Sequence, residues 1–437
     1  MAAAEPLVIS GCRLFDGVEP TTTEAVTLVL AGDEIAWVGP EADAPPVGDE
    51  ARVLRAEGLT AMPGLIDMHT RSDGLGELTR YVRGGVTTLR FAGLDEPSVE
   101  RARAAAASHP HVTPRILSCG PLLDAAPANW PQWTTLLDSP QDAARVGEQL
   151  AASGRVDALI AAQNVDAALL RPLVAAAHAH DLPVVGQTWA LDGAQAAQLG
   201  IDQLDNTSRL FSSSLWPRRG PDTFKRVEDR IECWVRGWSS VDWDATMRIV
   251  DTMVEREVAH CPTLTAHYWW TDLCRHELEQ DPLFRATQPS EQLTPNQRTL
   301  AEVERTWTRE LKMLMRAALS NREEWLRRFH AAGGRVVAGT DTRYGGVMLH
   351  SELRWLSDAG LPADAIVRAA TSTAADVLRR PDLGRLRPGC RADVLLVDGD
   401  PCEEISAARR IRAVVRGGRI AIEQPLAAAV SEATGAA

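Results

Sequence analysis

The sequence predicts an α/β fold: a TIM-like (β/α)₈ barrel with a small β-sandwich domain formed by both chain termini. Three observations carry this. The middle of the 437-residue chain alternates short apolar strand-like runs with helical stretches, the pattern of βα units. Eight such runs suggest closure into a barrel. Each chain end instead consists of short β-type runs and turns, too few to stand alone, so the two ends are expected to fold together.

The N-terminal runs are Leu7–Ser10, Val26–Leu30, Glu34–Val38 and Arg52–Ala56, punctuated by Asp16-Gly17, Gly32-Asp33 and Gly39-Pro40. Barrel strands are predicted near Leu65–Met68, Thr87–Phe91, Arg115–Ser118, Ala158–Ala161, Val184–Gln187, Gln203–Asp205, Ala259–Thr263 and Val336–Ala338. Residues just past these strands are the first place to look for chemistry, because barrel enzymes work at the carboxyl ends of their strands. Thr294 to Ala332 is amphipathic and charged, and predicts a helix pair leading into the last strand. Further β runs follow at Ala392–Asp398, Ile411–Arg416 and, after Gly417-Gly418, Arg419–Ile422. The predicted divisions are residues 1–63 with 384–422 for the sandwich, 64–383 for the barrel, and a flexible tail over 423–437.

Composition excludes several classes. A net charge of −13 with no basic run argues against nucleic acid or an anionic membrane as partner. No apolar stretch approaches the roughly 18 residues of a spanning helix, and Met1 to Ser10 lacks a signal peptide's form, so a cytoplasmic protein is expected. Seven scattered cysteines without a Cys-x-x-Cys pair read as reduced thiols. No lysine follows a glycine, which excludes a phosphate-binding P-loop, and no Gly-x-Ser-x-Gly elbow is present. The expected partner is a small-molecule substrate, and a homo-oligomer is compatible with the sequence.

The segment Leu59-Thr-Ala-Met-Pro-Gly-Leu-Ile-Asp-Met-His69 resembles the first barrel strand of the amidohydrolase superfamily. Gly84-Gly85-Val86-Thr87-Thr88 looks like that family's second strand, and Gly339-Thr340-Asp341 like its eighth. The run from His350-Ser-Glu-Leu353 through Ala369-Ala-Thr-Ser-Thr-Ala374, Gly384-Arg-Leu-Arg-Pro-Gly389, Ala392-Asp393 and Asp398-Gly-Asp-Pro401 is similar to its C-terminal signature. The resemblance spans nearly the whole chain, is nearest the imidazolonepropionase and prolidase-like branch, and implies the same barrel and sandwich.

It also implies one or two divalent ions held by His-x-His on strand one, a lysine on strand four, histidines on strands five and six, and aspartate on strand eight. Here the second histidine position holds Arg71, strand four, Asp157-Ala-Leu-Ile160, offers isoleucine or, on a one-residue shift, alanine, strand five ends in Gln187, and strand six ends in Asp205-Asn206. Only Asp341 remains beside His69. Neither Lys225 nor Lys312, the chain's only lysines, falls on a strand end. A catalytic zinc needs about three protein ligands, amides substitute poorly for imidazole, and a permanent cation at position 71 repels a dication. The sequence therefore predicts no metal and no cofactor, with Arg71 pairing Asp341.

On this reading His69, Arg71, Gln187, Asn206 and Asp341 form the catalytic cluster. His69 and Asp341 would move protons while Arg71, Gln187 and Asn206 stabilise an oxygen anion. Compatible reactions are cyclisation, dehydration, isomerisation or ring opening of a carbonyl compound, in specialised metabolism. His267, Tyr268, Trp269 and Arg343 are expected at the substrate. Trp216, Trp234, Trp238, Trp243, Trp269 and Trp270 suggest a lid, whereas Trp307 and Trp325 suggest helix packing. His178-Ala179-His180 reads as a solvated helix end. Two alternatives stand: a metal-dependent hydrolase of cyclic amides or peptides using His69, Asp341 and His267, and a catalytically inactive ligand-binding barrel.

Overall fold

The computed structural model describes residues 5–48, 50–72, 74–206, 235–268, 308–342 and 345–424. Five strands come first: β1 (Leu7–Leu14), β2 (Thr23–Ala31), β3 (Glu34–Pro40), β4 (Arg52–Arg55) and β5 (Leu59–Pro63). The barrel set follows with β6 (Leu65–Thr70), β7 (Val86–Phe91), β8 (Arg115–Ser118), β9 (Leu122–Asp124), β10 (Thr134–Leu136), β11 (Leu159–Ala161), β12 (Val184–Gly186), β13 (Gln203–Asp205) and β14 (Ala259–Cys261). The chain closes with β15 (Val394–Asp398), β16 (Ile411–Arg416) and β17 (Arg419–Glu423).

Strands β6, β7, β11, β12, β13 and β14 are buried at every position, as parallel strands covered on both faces are, and several carry buried polar residues. They form two parallel sheets, β6-β7-β8 and β10-β9-β11-β12-β13-β14. Backbone hydrogen bonds bridge both gaps. Asp157 N–H donates to Ser118 O at 2.7 Å on one side. On the other, Val337 N–H donates to His260 O at 2.9 Å and Met68 N–H to Ala338 O at 2.9 Å. The eighth strand predicted at Val336–Ala338 thus does its work through isolated bridges, His260 with Val336 and Thr70 with Thr342, rather than as a full ladder. Side-chain acceptors start the intervening helices, among them Asp95 for Glu96–Ser108, Ser139 for Pro140–Ala151, Asp166 for Ala167–Ala179 and Thr308 for Arg309–Ala331.

The two chain ends do fold together, yet as one eight-stranded sheet rather than as two separately paired ones. Its order is β17-β16-β15-β5-β1-β2-β3, with β4 parallel to β1. β15 pairs antiparallel with β5, so a C-terminal strand lies between the N-terminal strands and β16. The sheet surrounds its own core of Ile9, Leu28, Ala61, Leu396 and Val415. Its last hairpin turns at Gly417-Gly418, both at positive φ, and a Cβ on Gly418 would collide with Gly32 O.

Several expectations need adjustment. β9 and β10 are additional strands between the third and fourth barrel strands, too short to stand out in the sequence. The described part of the Thr294–Ala332 stretch is a single helix, Arg309–Ala331. The last strand extends to Glu423, and residues 425–437 of the predicted tail lie outside the described residues. Trp238 is fully buried in the main core rather than in a lid, and Trp243 opens the helix Trp243–Glu255 with the Arg328 guanidinium 4.4 Å over its ring. Trp325 packs as expected, stacked on Phe329 at 5.0 Å. Trp216, Trp234, Trp269, Trp270 and Trp307 lie outside the described residues.

Candidate active site

The carboxyl ends of β6, β13 and β14 and the Gly339–Asp341 segment converge. Gly339 permits this: a Cβ there would stand 2.6 Å from Cys261 Sγ and 2.8 Å from His69 N, so any side chain would push the eighth segment off the first strand. Asp341 N–H then donates to His69 O at 2.7 Å, fixing the two residues side by side. Asp67 ties the same pair of segments. It accepts from the backbone N–H of His69 and Thr340 at 3.2 and 3.1 Å and from Thr340 Oγ1 at 2.8 Å. Its complete burial still raises its pKa to about 6.

His69 sits between two carboxylates. Nδ1 donates to Asp205 Oδ2 at 2.9 Å, and Nε2 lies 3.4 Å from Asp341 Oδ1. A carboxylate only accepts, so Nδ1 carries a proton. Asp205 is held from behind by Arg90 Nη2 at 3.1 Å and by Gln203 Nε2. Asp341 is held from the front by Arg71 Nη1 at 2.5 Å, with Asn206 Nδ2 at 3.4 Å from its other oxygen. The result is a line of alternating charge: Arg90, Asp205, His69, Asp341, Arg71.

Burial orders this line. Arg90, Asp205 and His69 are 0% exposed, whereas the side chains of Arg71 and Asp341 keep 15% and 21% of their surface. Arg71 and Asp341 are therefore the pair that faces outward, and His69 acts from behind Asp341. Burial alone would lower the His69 pKa; the Asp341 and Asp205 carboxylates outweigh it and the net movement is upward. Burial would raise Asp341, but His69 and Arg71 hold it well below the usual carboxylate range. Asp205, opposed by burial and held by Arg90 and His69, is also lowered.

Asn206, Thr263 and Asp341 follow the sixth, seventh and eighth strands, and all three have left-handed backbones, with φ of 67°, 45° and 51°. Thr263 Oγ1 donates to Asn206 Oδ1 at 2.7 Å, which turns the amide so that Nδ2 faces Asp341. Glu352, fully buried on the helix Val347–Asp358, accepts from Leu264 N–H at 2.9 Å and from Thr265 N–H and Oγ1 at 2.7 Å. Burial raises its pKa to about 7.

Of the residues predicted from sequence, His69, Arg71, Asn206 and Asp341 are brought together. Gln187 lies buried at the end of β12, its backbone N–H donating to Ala161 O, with no side-chain hydrogen bond to the other four. Tyr268, expected at the substrate, is instead stacked on Trp355 at 4.7 Å and donates to Glu323 at 2.6 Å, so ring and hydroxyl are both engaged by the protein. His267 belongs to the short helix Leu264–Tyr268, but its side chain lies outside what is described, as do Trp269 and Arg343. His178 and His180 pair with Asp202 and Glu148 at the surface, as a helix end would.

Sequence reasoning missed Arg90, Asp205 and Thr263. A signal existed: Arg90 interrupts the apolar run Val86–Phe91, and a charge inside a barrel strand requires a buried partner. It also missed the aromatic wall beside Arg71. The Arg71 guanidinium lies 5.8 Å over the Trp133 ring, and Trp133 and Trp130 pack on a cluster that includes Ala92, Cys119, Ile160 and Val185.

A model of the amidohydrolase family matches residues 292–421. Imidazolonepropionase of Streptomyces griseus subsp. griseus is 36% identical over 92 residues, which is 20% of this chain and spans only 24% of the relative's length. These matches support the amidohydrolase superfamily. Among solved structures, a putative prolidase from Bifidobacterium longum aligns with a TM-score of 0.70 at 21% identity, covering 99% of each chain. The bottromycin amidohydrolase aligns with a TM-score of 0.70 at 22% identity, covering 94% of this chain and 86% of that one. A Xaa-Pro dipeptidase with bound methionine gives 0.67 at 18%, covering 96% and 100%. At these identities the structures establish the shared fold, a barrel with its attached β domain. No helix among the described residues is long and apolar enough to cross a membrane.

Proposed function

We propose that this chain is an amidohydrolase-superfamily enzyme that acts on a small molecule at an amide-type or carbonyl group by acid/base chemistry without a resident metal. The observation that carries this is the Arg71–Asp341 contact at 2.5 Å. The carboxylate through which the superfamily resemblance would hold a divalent ion is occupied by a guanidinium. Beyond that carboxylate, His69 offers only Nε2, Asn206 offers an amide, and among the described residues no group of three or more His, Cys, Asp or Glu side chains is placed to share an ion.

Arg71 and the charge of His69 behind Asp341 would stabilise an oxygen anion developing on the substrate, with Asn206 as a neutral donor. Asp341 is a weak base while Arg71 holds it. An oxyanion that draws Arg71 away raises its basicity at the moment a proton must move. Cyclisation, dehydration, isomerisation and ring opening suit this set better than hydrolysis, because nothing in it lowers the pKa of water as zinc does.

The test is a turnover screen over small amides, lactams and enolisable carbonyl compounds, followed by substitution. Activity should persist after dialysis against a chelator and fall by about 100-fold or more in Asp341→Asn. Turnover restored only by added zinc would contradict the metal-free reading, and turnover that survives both Asp341→Asn and His69→Ala would remove these residues from the mechanism.

A further inference from the structure

Between the helices Glu96–Ser108 and Pro140–Ala151 lies a cavity of about 430 Å³, with the stretch from Gln132 to Thr135 forming a further wall. Its lining includes none of Arg90, Asp205, His69, Asp341, Arg71 and Asn206, so it is separate from the site described above. Its size is that of a small-molecule site, and its walls come from four separate stretches of chain, a concave form that suits a small ligand better than a flat partner. The frame is tied across. Arg103 Nη1 donates to Arg155 O at 2.9 Å, and Arg155 Nη1 pairs with Glu96, so the loop after the second helix is fastened to the first helix at two points. Thr134 Oγ1 donates to Trp130 O at 2.8 Å and holds the Pro131–Trp133 turn. A frame fastened in this way is formed before any ligand arrives.

The lining specifies the occupant in three ways. Charge is the first. Asp95, Glu96 and Glu100 stand against Arg103 and Arg155, and each guanidinium already has a carboxylate: Glu96 for Arg155, and Asp157 at 3.4 Å and Glu100 at 3.5 Å for Arg103. An anionic ligand would meet more carboxylates than guanidinia, so a neutral one is favoured. Hydrogen bonding is the second. Ser118 is 1% exposed; its Oγ accepts from Gly120 N–H at 3.0 Å, and its own hydroxyl hydrogen has no acceptor in the protein. That leaves a buried donor to be matched by an acceptor on the ligand. At the outer rim, the side chains of Gln132, Gln149 and Thr135 make no hydrogen bond among the described residues. The third is apolar surface, supplied by Val99, Leu150, Val156 and the Trp133 ring.

We propose that this cavity is a second ligand site, for a neutral molecule that carries an amide carbonyl on an apolar or aryl frame. The carbonyl accepts from Ser118, the frame lies against Val99, Val156 and Trp133, and the glutamine carboxamides meet the ligand's remaining polar groups at the rim. The site adjoins the candidate catalytic pair through one ring, since the Arg71 guanidinium lies 5.8 Å over Trp133. It does not depend on the metal-free reading, and its test reads binding rather than turnover.

The probe is N-acetyl-L-phenylalaninamide, titrated into the intact protein and followed by ligand-observed NMR. N-acetyl-L-phenylalanine, the same frame with a carboxylate, and N-acetylglycinamide, the same amides without the ring, are the controls. The probe should saturate at one site per chain and bind at least about tenfold more tightly than either control. Ser118→Ala should weaken it by about tenfold, the loss of one buried hydrogen bond. Gln149 is exposed, so Gln149→Trp fills the rim without disturbing the core, and it should abolish binding. Asp341→Asn, at the barrel mouth, should leave binding unchanged. Each variant's circular dichroism and melting profile is checked first, and Gln149→Trp decides the matter if Ser118→Ala does not fold. A probe that fails to saturate, an acid that binds as tightly as the amide, or binding that survives Gln149→Trp overturns the site. Binding lost in a folded Asp341→Asn places the probe at the barrel mouth and also overturns it. None of these outcomes bears on whether the barrel mouth holds a metal.

Discussion

His69 lies behind Asp341 and not in front of it, and this placement changes what each residue can do. The sequence suggests two proton carriers facing the substrate. The structure gives one outward carboxylate, Asp341, backed by a buried imidazole whose far side is fixed by Asp205 and Arg90. Asp205 matters most to stability, since Asp205→Asn leaves Arg90 fully buried without its charge partner. We expect a loss of about 3–5 kcal/mol in chemical denaturation; a loss well under 1 kcal/mol would show that the line of charges is not coupled. The pH dependence follows from the directions of the shifts. Asp205 and Asp341, both lowered, contribute stability above about pH 4 that is lost as pH falls through their folded values. His69, raised, contributes stability below about pH 6.5 that is lost as pH rises through its folded value. The array is thus most stabilising between these limits. Denaturation curves across pH 6 to 9 should fall more steeply for the wild type than for His69→Gln, and equal slopes would contradict the upward shift.

At the scale of elements, the ends of three consecutive strands share one device. Asn206, Thr263 and Asp341 each turn into the left-handed region, and the turns aim one hydroxyl, one amide and one carboxylate at one another. Asparagine and aspartate tolerate that conformation, but β-branched threonine does not, so Thr263 marks strain maintained by its surroundings. Glu352 supplies part of that restraint by gripping the next two residues. Thr263→Ala and Thr263→Gly both delete the hydroxyl and differ by one methyl group and in backbone freedom, of which the second favours glycine at this φ. Glycine should be the more stable of the two by about 1–2 kcal/mol, measured by urea unfolding; equal stabilities would mean that the left-handed turn carries no strain.

For the molecule as a whole, the barrel was legible because short strand-like runs alternate with helical stretches, and seven of those runs coincide with observed strands. The closing segment was legible only in position, because Val336–Thr342 bonds to its neighbours at scattered points. The pairing of chain ends was legible too, but not its outcome as a single sheet, since which edge receives β15 is decided by tertiary packing rather than by any local pattern. At the site, the expected pairing of Arg71 with Asp341 is observed. The Arg90–Asp205 pair joins a charge inside β7 to the end of β13, a pairing that no local sequence pattern encodes. Of the tryptophans expected in a lid, Trp238 lies in the core and Trp243 packs under Arg328, while Trp216, Trp234, Trp269 and Trp270 lie outside the described residues.

All of this turns on whether a guanidinium occupies the place of a divalent ion. The most direct measurement is elemental analysis of the full chain purified without chelator, repeated after incubation with zinc and desalting. The account predicts far less than one equivalent of any divalent metal per chain in both samples. One equivalent retained through desalting, and lost in Asp341→Asn, would contradict it.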